Sequence, residues 1–385
     1  MIARRATVAA GLLLPAAAVF SPPLRAAAKE HLRAIAFAGA PRAAPDGPHR
    51  VGWRGLRLAS RGDELAVDLW YPAGDAAPAL QRLGHSVLHP TRPVVEPSAP
   101  LARAERPWPL LLYHPAWFSH RADNSFLMAA LASRGFVVAA VDDPVRNHGD
   151  ALSPALRSAR LDLSGGLALA RSLGPAAARA EAAAALGASL PERLPELTGW
   201  GSHVVVDRFG VLGFSFGGST AAASGRQDPR VAAVANLDGS TYGDTHRHGV
   251  AVPYLMLFAD PPFPDAAALS HPDPGIRLEA QLTWDEAERC LSWSRRPGHW
   301  SLCVPGAVHP DFCDRLLMPA FREFGRSPRA GRLARARGIH RAVAAFFEKA
   351  LRNPGAAGPA AAVPEFPALG AIAPPAALRP LAGAG

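Results

Sequence analysis

Short runs of apolar and β-branched residues recur along the chain, and segments of helical or turn-forming composition separate them. The first two runs alternate apolar and polar residues on either side of a short polar turn, which indicates an antiparallel hairpin. The later runs are denser in apolar residues, as expected of strands buried on both faces. This order predicts an α/β fold, a mostly parallel sheet with helices on both faces. The eight predicted strands are residues 51–59, 64–71, 109–113, 135–141, 209–213, 231–237, 252–258 and 300–304.

Two insertions interrupt this alternation, and both are longer than ordinary connections. Residues 72–107 are rich in Pro and Ala with little periodicity, whereas residues 261–298 include a predicted helix over 276–293. Long loops often carry function, so both are candidates for a lid or a substrate pocket, although a surface loop without function equally explains the first. Further helices are predicted over residues 124–133, 155–173, 177–186 and 333–351.

The two ends of the chain differ in composition from its centre. Near the start, two arginines precede an apolar stretch of about fifteen residues and a small-residue cleavage site, a pattern typical of a secretory signal peptide. The pattern predicts export, to the periplasm or outside the cell, by the general or the twin-arginine route; an uncleaved apolar helix is the alternative. The predicted organisation is a signal peptide over residues 1–28, a single domain over 29–352 and a disordered Pro/Ala-rich tail over 353–385.

The net charge of +9 comes almost wholly from arginine, since only two residues are lysine. The arginines are dispersed and are not interleaved with aromatic residues on one element, so a nucleic-acid partner is not predicted. The last predicted helix, residues 333–351, combines an apolar stripe with several arginines. Packing on the sheet explains that stripe, and contact with an anionic membrane surface is the alternative.

The three cysteines, Cys290, Cys303 and Cys313, all lie in the last third of the chain. Their spacing is not that of a zinc site, and no metal ion is predicted. In an oxidising compartment two of them could form one disulfide, whereas buried free thiols are the alternative. The sequence does not choose between these states.

The pentapeptide Gly213-Phe214-Ser215-Phe216-Gly217 has the Gly-x-Ser-x-Gly pattern of a nucleophile elbow. In such an elbow the serine lies on a sharp strand-to-helix turn, and the glycines allow the strand and the helix to approach closely. The context fits, because residues 209–213 form a predicted strand and residues 217–223 are small and helix-compatible. Ser215 is therefore the predicted nucleophile; a structural turn serine is the alternative.

Four segments in a fixed order carry a resemblance to a known family. They are Leu69-Trp70-Tyr71-Pro72, then Tyr113-His114 followed by residues 131–142, then the elbow, then Gly306-Ala307-Val308-His309. From about residue 51 to residue 312 the chain resembles the platelet-activating-factor acetylhydrolase family and, more loosely, the dienelactone-hydrolase relatives. The resemblance implies the α/β-hydrolase fold, with an eight-stranded, mostly parallel sheet, and a Ser-acid-His triad.

Acyl transfer requires a histidine base that a carboxylate holds in one tautomer, and hydrolases of this fold use the chain order Ser, acid, His. His309 fits the base, because it follows the last predicted strand and matches the family's Gly-x-Val-His segment. Two aspartates fit the acid: Asp238 ends the sixth predicted strand and Asp260 ends the seventh. The resemblance favours Asp238, since the family carries its acid in a similar Leu-Asp segment, while either strand end could reach the histidine.

Acyl transfer also requires N–H donors directed at the developing oxyanion. Elbow geometry assigns one donor to the backbone of Phe216. By resemblance the second donor is Ala116, although Pro115 stands where the family has glycine, a departure that removes no required N–H. Trp117 and Phe118 are then predicted to border the acyl pocket.

These residues predict hydrolysis of a carboxylic ester through an acyl-enzyme, without a metal or an organic cofactor. The resemblance implies a short-acyl or lipid-like ester similar to platelet-activating factor, or a small ester or lactone as in the dienelactone hydrolases. Peptidase or amidase activity remains open because the same triad serves those reactions, as does a non-catalytic member of the fold that binds a lipid or a protein. The oligomeric state is not predicted.

Overall fold

A computed structural model describes the protein over most of its central region. The predicted signal peptide, residues 1–28, and the predicted helix over 155–173 lie outside the described residues, as do Trp117 and Phe118. The described residues are 45–60, 63–75, 95–116, 119–142, 177–178, 180–185, 187–317, 331–372 and 374.

One nine-stranded sheet forms the centre of the molecule. Its strands are β1 (Arg50–Ser60), β2 (Asp63–Ala73), β3 (Glu96–Pro97), β4 (Trp108–His114), β5 (Val137–Val141), β6 (Val204–Phe214), β7 (Val231–Leu237), β8 (Tyr254–Phe258) and β9 (His299–Cys303). They lie in the order β3-β1-β2-β5-β4-β6-β7-β8-β9. β1 and β2 form the predicted antiparallel hairpin, and β4 to β9 are parallel to one another. The strand that sequence analysis missed is β3, whose two residues are too few to produce a periodic pattern.

Helices and short helical turns connect these strands. The helices are α1 (Ser125–Ser133), α2 (Leu190–Thr198), α3 (Phe216–Gln227), α4 (Gly243–His248), α5 (Ala266–Leu269), α6 (Pro274–Trp293), α7 (Arg332–Phe347) and α8 (Pro359–Ala362). Residues 177–178 and 180–185 are also helical, and a π-helical turn, Glu348–Arg352, continues α7. Short 3-10 turns cover Gly201–His203, His309–Phe312, Asp314–Leu317 and Leu369–Ala371.

Two apolar layers lie on opposite faces of the sheet. Along β4, Leu110 and Leu112 belong to one layer, and Leu111 and Tyr113 to the other, because successive side chains of a strand point to opposite faces. Helices α1 and α7 contribute side chains to the layer of Leu111, and helices α2, α3 and α6 to the layer of Leu110. The sheet is therefore covered on both faces, as the dense apolar strands predicted.

The second insertion, residues 261–298, which is a candidate for a lid or a substrate pocket, contains helix α6. Asp273 caps its first turn by accepting hydrogen bonds from Gly275 and Ile276. Further along the helix, Trp284, Ala287, Cys290 and Trp293 are all buried in one apolar layer of the core. This insertion therefore supplies a core helix. The first insertion, residues 72–107, is described only at its two ends.

The tail also differs from the prediction, since residues 353–372 are ordered against the domain. Val363, Phe366 and Leu369 are buried, and the backbone N–H of Cys303 in β9 donates to Pro367 at 2.9 Å. A Pro/Ala-rich segment has few apolar side chains, but three of them are buried here: Val363 and Phe366 join the apolar layer of Leu111, and Leu369 joins that of Leu110. The predicted disorder is wrong for this part, and residues 375–385 lie outside the described chain.

The packing accounts for the apolar stripe of α7 and for the thiols. Ile339, Val343, Phe346 and Phe347 of the stripe are buried in the core, as packing on the sheet predicts. None of the helices in the described ranges is long and apolar enough to span a membrane. All three cysteines are buried free thiols.

Candidate active site

Ser215 lies in the sharp turn between β6 and α3. Its backbone angles are φ 56° and ψ −123°, a conformation that residues other than glycine rarely adopt. The backbone N–H of Ser215 donates to Leu237 at 2.9 Å, and its carbonyl accepts from Gly218 at 2.8 Å. The end of β7 and the first turn of α3 therefore hold the strained residue in place.

The two glycines of the predicted elbow are required by close backbone contacts. A Cβ atom on Gly213 would lie 2.1 Å from the carbonyl oxygen of Gly217. One on Gly217 would lie 2.0 Å from the carbonyl oxygen of His114 at the end of β4. No side chain fits at either position, so the spacing read from the sequence has a steric cause.

His309 lies between Ser215 and Asp238 and forms hydrogen bonds with both. Its Nε2 is 2.9 Å from Ser215 Oγ, and its Nδ1 is 2.7 Å from Asp238 Oδ2. With a neutral imidazole, Nδ1–H donates to the carboxylate and Nε2 accepts from the serine hydroxyl, because a carboxylate can only accept. The arrangement leaves Nε2 able to take the proton of Ser215.

Asp238 follows β7 and is held in position by its own strand end and by the next strand. Its Oδ1 accepts from the backbone of Ala259 at 2.8 Å, and its φ is 56°. Behind it, the Asn236 side chain both accepts from and donates to the backbone of Gly239, at 2.8 Å each. The Asp238 side chain is only 14 % exposed, whereas that of His309 is 50 % exposed. The acid is thus enclosed and the base remains accessible.

Asp260, the alternative acid, makes different contacts. Its Oδ2 accepts from the backbone of Gly306 at 2.7 Å, and its own N–H donates to Ala307 at 2.9 Å. These bonds fix the turn that leads into His309. The structure therefore brings Asp238 to the histidine ring and places Asp260 in support of the histidine loop.

Asp311, two residues after His309, is buried. Its carboxylate accepts from the backbone of Val308 at 3.2 Å and lies 3.8 Å from Nε of Arg335 in α7. It therefore closes the 3-10 turn that begins at His309. The ring of His309 also lies beside Phe214, with 5.0 Å between the ring centroids.

Phe216 and Ala116 carry the two predicted oxyanion donors, and both belong to backbone next to the elbow or packed against it. Phe216 is the first residue of α3, where backbone N–H groups are not used by hydrogen bonds within the helix. Ala116 is buried, and its N–H donates to Oδ2 of Asp123 at 3.4 Å. The preceding loop passes close to α3, since a Cβ on Gly217 would lie 2.6 Å from the carbonyl oxygen of Pro115. The ring of Phe216 packs near Tyr242, 6.4 Å between centroids.

Two buried carboxyls near this loop were missed by sequence analysis. Burial raises the pKa of Asp123 to about 6 and that of Asp314 to about 8. Asp314 caps α1 by accepting from the backbone of Ser125 at 2.8 Å. Asp123 lies in a short polar segment before a helix, where such residues ordinarily cap or face solvent, so no local signal distinguished it. Within the described ranges, no group of three or more His, Cys, Asp or Glu side chains could hold a metal ion.

Comparisons with known proteins support the architecture more than the family. No family model and no curated protein matches the chain. Among solved structures, the chain is similar to a ferulic acid esterase from Streptomyces cinnamoneus, with 27% identity and a TM-score of 0.56. The match covers 84% of this chain and 98% of that one. The neighbour is an esterase and not a platelet-activating-factor acetylhydrolase, so it supports the superfamily and not that family. With its largely parallel sheet and its elbow, the chain has the α/β-hydrolase fold.

Proposed function

We propose that the protein is a serine hydrolase that cleaves carboxylic esters through an acyl-enzyme. The observation that carries this proposal is the continuous hydrogen-bonded series from Ser215 through His309 to Asp238, with separations of 2.9 and 2.7 Å. Similarity to a protein named as an esterase supports ester hydrolysis over peptide hydrolysis. A purely binding role would not require a strained serine whose hydroxyl points at an oriented imidazole.

In the proposed reaction, Ser215 Oγ attacks the ester carbonyl carbon while His309 Nε2 takes the hydroxyl proton. Asp238 stabilises the imidazolium that forms. The tetrahedral oxyanion accepts from the Phe216 N–H and, in our assignment, from the Ala116 N–H. Collapse expels the alcohol, which receives the proton from Nε2 and leaves the acyl group on the serine. Water then loses a proton to Nε2 and attacks the acyl carbon, which forms a second tetrahedral intermediate. Its collapse breaks the bond to Ser215 Oγ and releases the carboxylic acid, and Nε2 returns the proton to Ser215 Oγ.

Two substrate classes follow from different observations. The sequence resemblance supports a short-acyl or lipid-like ester similar to platelet-activating factor. The solved neighbour is named for ferulic acid, which supports an ester of an aromatic acid as the second candidate. We place the acyl group beside the Phe216 and Tyr242 rings, because Phe216 directly follows the nucleophile in the chain and its ring packs near that of Tyr242.

A panel of esters tests the proposal directly. Chromogenic esters of acetate, butyrate, octanoate and ferulate, with a matched anilide of each acid, are assayed with the wild type and with Ser215→Ala. We expect the wild type to hydrolyse the esters and to cleave the anilides weakly or not at all. The rate of ester hydrolysis should be at least about 10³-fold lower in Ser215→Ala. Labelling by a fluorophosphonate probe should occur in the wild type and disappear in Ser215→Ala. Unlabelled wild-type protein, or full activity in the variant, would refute the proposal.

Export remains a prediction that rests on the sequence of residues 1–28 alone. We propose that an exported, mature chain begins after the small residues near position 28. N-terminal sequencing of protein recovered from the cell envelope or medium tests this. A chain that still begins at Met1 would contradict cleavage.

A further inference from the structure

The end of strand β7 forms a tight turn over residues 236–239, which includes the proposed acid Asp238. The side-chain amide of Asn236 closes this turn: its Oδ1 accepts from the Gly239 N–H and its Nδ2 donates to the Gly239 carbonyl, each at 2.8 Å. Within the turn, Asp238 has a φ of 56°, a strained conformation that persists only where its surroundings hold it. Asn236 thus satisfies both polar backbone groups of the residue that follows the acid.

Asn236 is itself fixed on several sides. It is fully buried, and its Nδ2 also donates to the Tyr254 hydroxyl in β8 at 2.9 Å. A Cβ atom on Gly218 in α3 would lie 2.0 Å from the Asn236 Oδ1, so the helix backbone passes directly beside the amide. The rest of β7 is Val, Ala and Leu, and asparagine is disfavoured in strands. The bonds to the turn account for a polar side chain at this buried position.

The turn that carries the acid lies directly against the backbone of the nucleophile. A Cβ atom on Gly239 would lie 2.0 Å from the Ser215 carbonyl oxygen. The Ser215 N–H donates to the Leu237 carbonyl at 2.9 Å, and the hydroxyl of Ser219 in α3 donates to the Ser240 carbonyl. The acid turn and the elbow therefore share contacts on both sides of Asp238, and a change in the shape of the turn moves the acid relative to the elbow.

We propose that Asn236 is a positioning residue for the proposed reaction, because its amide holds the turn that directs the Asp238 carboxylate at His309. This inference rests on the proposed function. Asp238 Oδ2 lies 2.7 Å from His309 Nδ1, and its Oδ1 accepts from the Ala259 N–H at 2.8 Å, so the carboxylate has one orientation that satisfies both oxygens. Asn236 contacts the turn, α3 and β8, and it acts on the reaction through Asp238.

Asn236→Ala and Ser133→Ala form a matched pair for the test. Ser133 is also fully buried, and its side chain likewise accepts one backbone N–H, from Gly47 at 3.1 Å, and donates to one backbone carbonyl, that of Ala130 at 2.8 Å. It precedes β5, at the edge of the sheet where the parallel strands begin and not where the triad lies. We measure kcat and KM for the best ester of the panel. Asn236→Ala should lower kcat at least about fivefold with KM within about threefold, because the acid acts on the transition state. Ser133→Ala should keep kcat within about twofold of the wild type.

The same substitution in the Asp238→Asn background separates positioning from general destabilisation. If Asn236 acts through the acid, its loss has little further effect once the charge of the acid is gone. The double variant should then have a kcat within about threefold of Asp238→Asn alone. A merely structural role lowers kcat by the same factor in both backgrounds, and that result overturns the inference.

A loss of kcat smaller than about fivefold in Asn236→Ala overturns the inference, as do equal losses in Asn236→Ala and Ser133→Ala. If Asn236→Ala does not fold, Asn236→Val takes its place, because valine suits a buried strand and forms no side-chain hydrogen bond. An unchanged kcat in that variant overturns the inference as well. The wild type and Ser215→Ala are measured alongside. Equal, negligible activity in those two would defeat the proposed function itself, whereas an active wild type with an unaffected Asn236 variant defeats only the positioning role.

Discussion

Backbone strain in this molecule is concentrated at the residues proposed to do chemistry. In the described ranges, the residues other than glycine with positive φ are Ser98, Ser215 and Asp238, each at 56°. Two of these three are the proposed nucleophile and its acid. Each follows directly on a parallel strand, and a backbone bond to the neighbouring strand's end holds it, from Ser215 to Leu237 and from Asp238 to Leu257, both at 2.9 Å. The strain persists because the sheet fixes it from both sides.

The two candidate acids should differ sharply when each is neutralised. Asp238→Asn keeps the shape of the side chain but removes the charge that stabilises the imidazolium, and it permits the wrong histidine tautomer; we expect kcat to fall about 10³- to 10⁴-fold. Asp260→Asn retains an oxygen that can accept from Gly306, and its kcat should stay within about threefold. Steady-state ester hydrolysis checks both. A larger loss in Asp260→Asn than in Asp238→Asn would reverse the assignment.

His340 in α7 should make stability depend on pH. Burial lowers its pKa to about 4 from an ordinary value near 6.5. Between those pH values the unfolded chain binds a proton that the folded chain does not. The contribution of His340 to the free energy of unfolding therefore falls as pH drops from about 6.5 to about 4. Urea unfolding measures the free energy of unfolding at pH 7 and at pH 4.5. Between these two pH values it should fall by about 2 kcal/mol more in the wild type than in His340→Gln. Equal losses in the two proteins would show that His340 does not cause the effect.

Among the elements, those with a dense local pattern were predictable from sequence. The parallel strands, the elbow and helix α7 each carry a run of apolar or small residues that is compatible with few other local structures. β3 and the tail lack such runs. They form because they pair with a neighbouring strand: β3 with β1, and the tail with β9. Asp123 and Asp314 were missed for a related reason, since burial of a carboxyl depends on which distant donors the fold brings to it.

Helix α6 provides a test that separates a core helix from a lid. Trp284 is 1% exposed and packs edge-on against Phe263, whereas Ile276 near the start of the helix is 45% exposed. Trp284→Ala should lower the free energy of unfolding by about 3–5 kcal/mol, because it leaves a cavity in the core. Ile276→Ala should change it by less than about 1 kcal/mol. Denaturant titration measures both; a mild effect at Trp284 would indicate a loosely attached helix.

For the molecule as a whole, strand order explains why the proposed triad appears in its chain order. Strands β6, β7, β8 and β9 are consecutive neighbours, so the segments that follow them meet at one edge of the sheet. Ser215 follows β6, Asp238 follows β7 and His309 lies beyond β9. Asp260 follows β8 at the same edge, and this is why the sequence alone could not choose between the two acids. The choice depends on where the histidine loop turns, which the bonds of Asp260 to Gly306 and Ala307 determine.

The tail from residue 353 should contribute to the stability of the entire domain. Its residues cover the β9 edge, through a bridge between Ala368 and Leu302, and bury Val363, Phe366 and Leu369. In a chain that ends at Arg352, the free energy of unfolding falls by about 1.5–3 kcal/mol for each of the three buried side chains that is removed. This loss is partly offset, because the conformational entropy of ordering the tail no longer has to be overcome. It also exposes the edge of β9, which favours aggregation. We therefore expect a lower midpoint in thermal unfolding and increased light scattering, whereas a control chain that ends at residue 374 should match the full-length protein in both measurements. Identical midpoints for the two shortened chains would show that docking of the tail adds no stability.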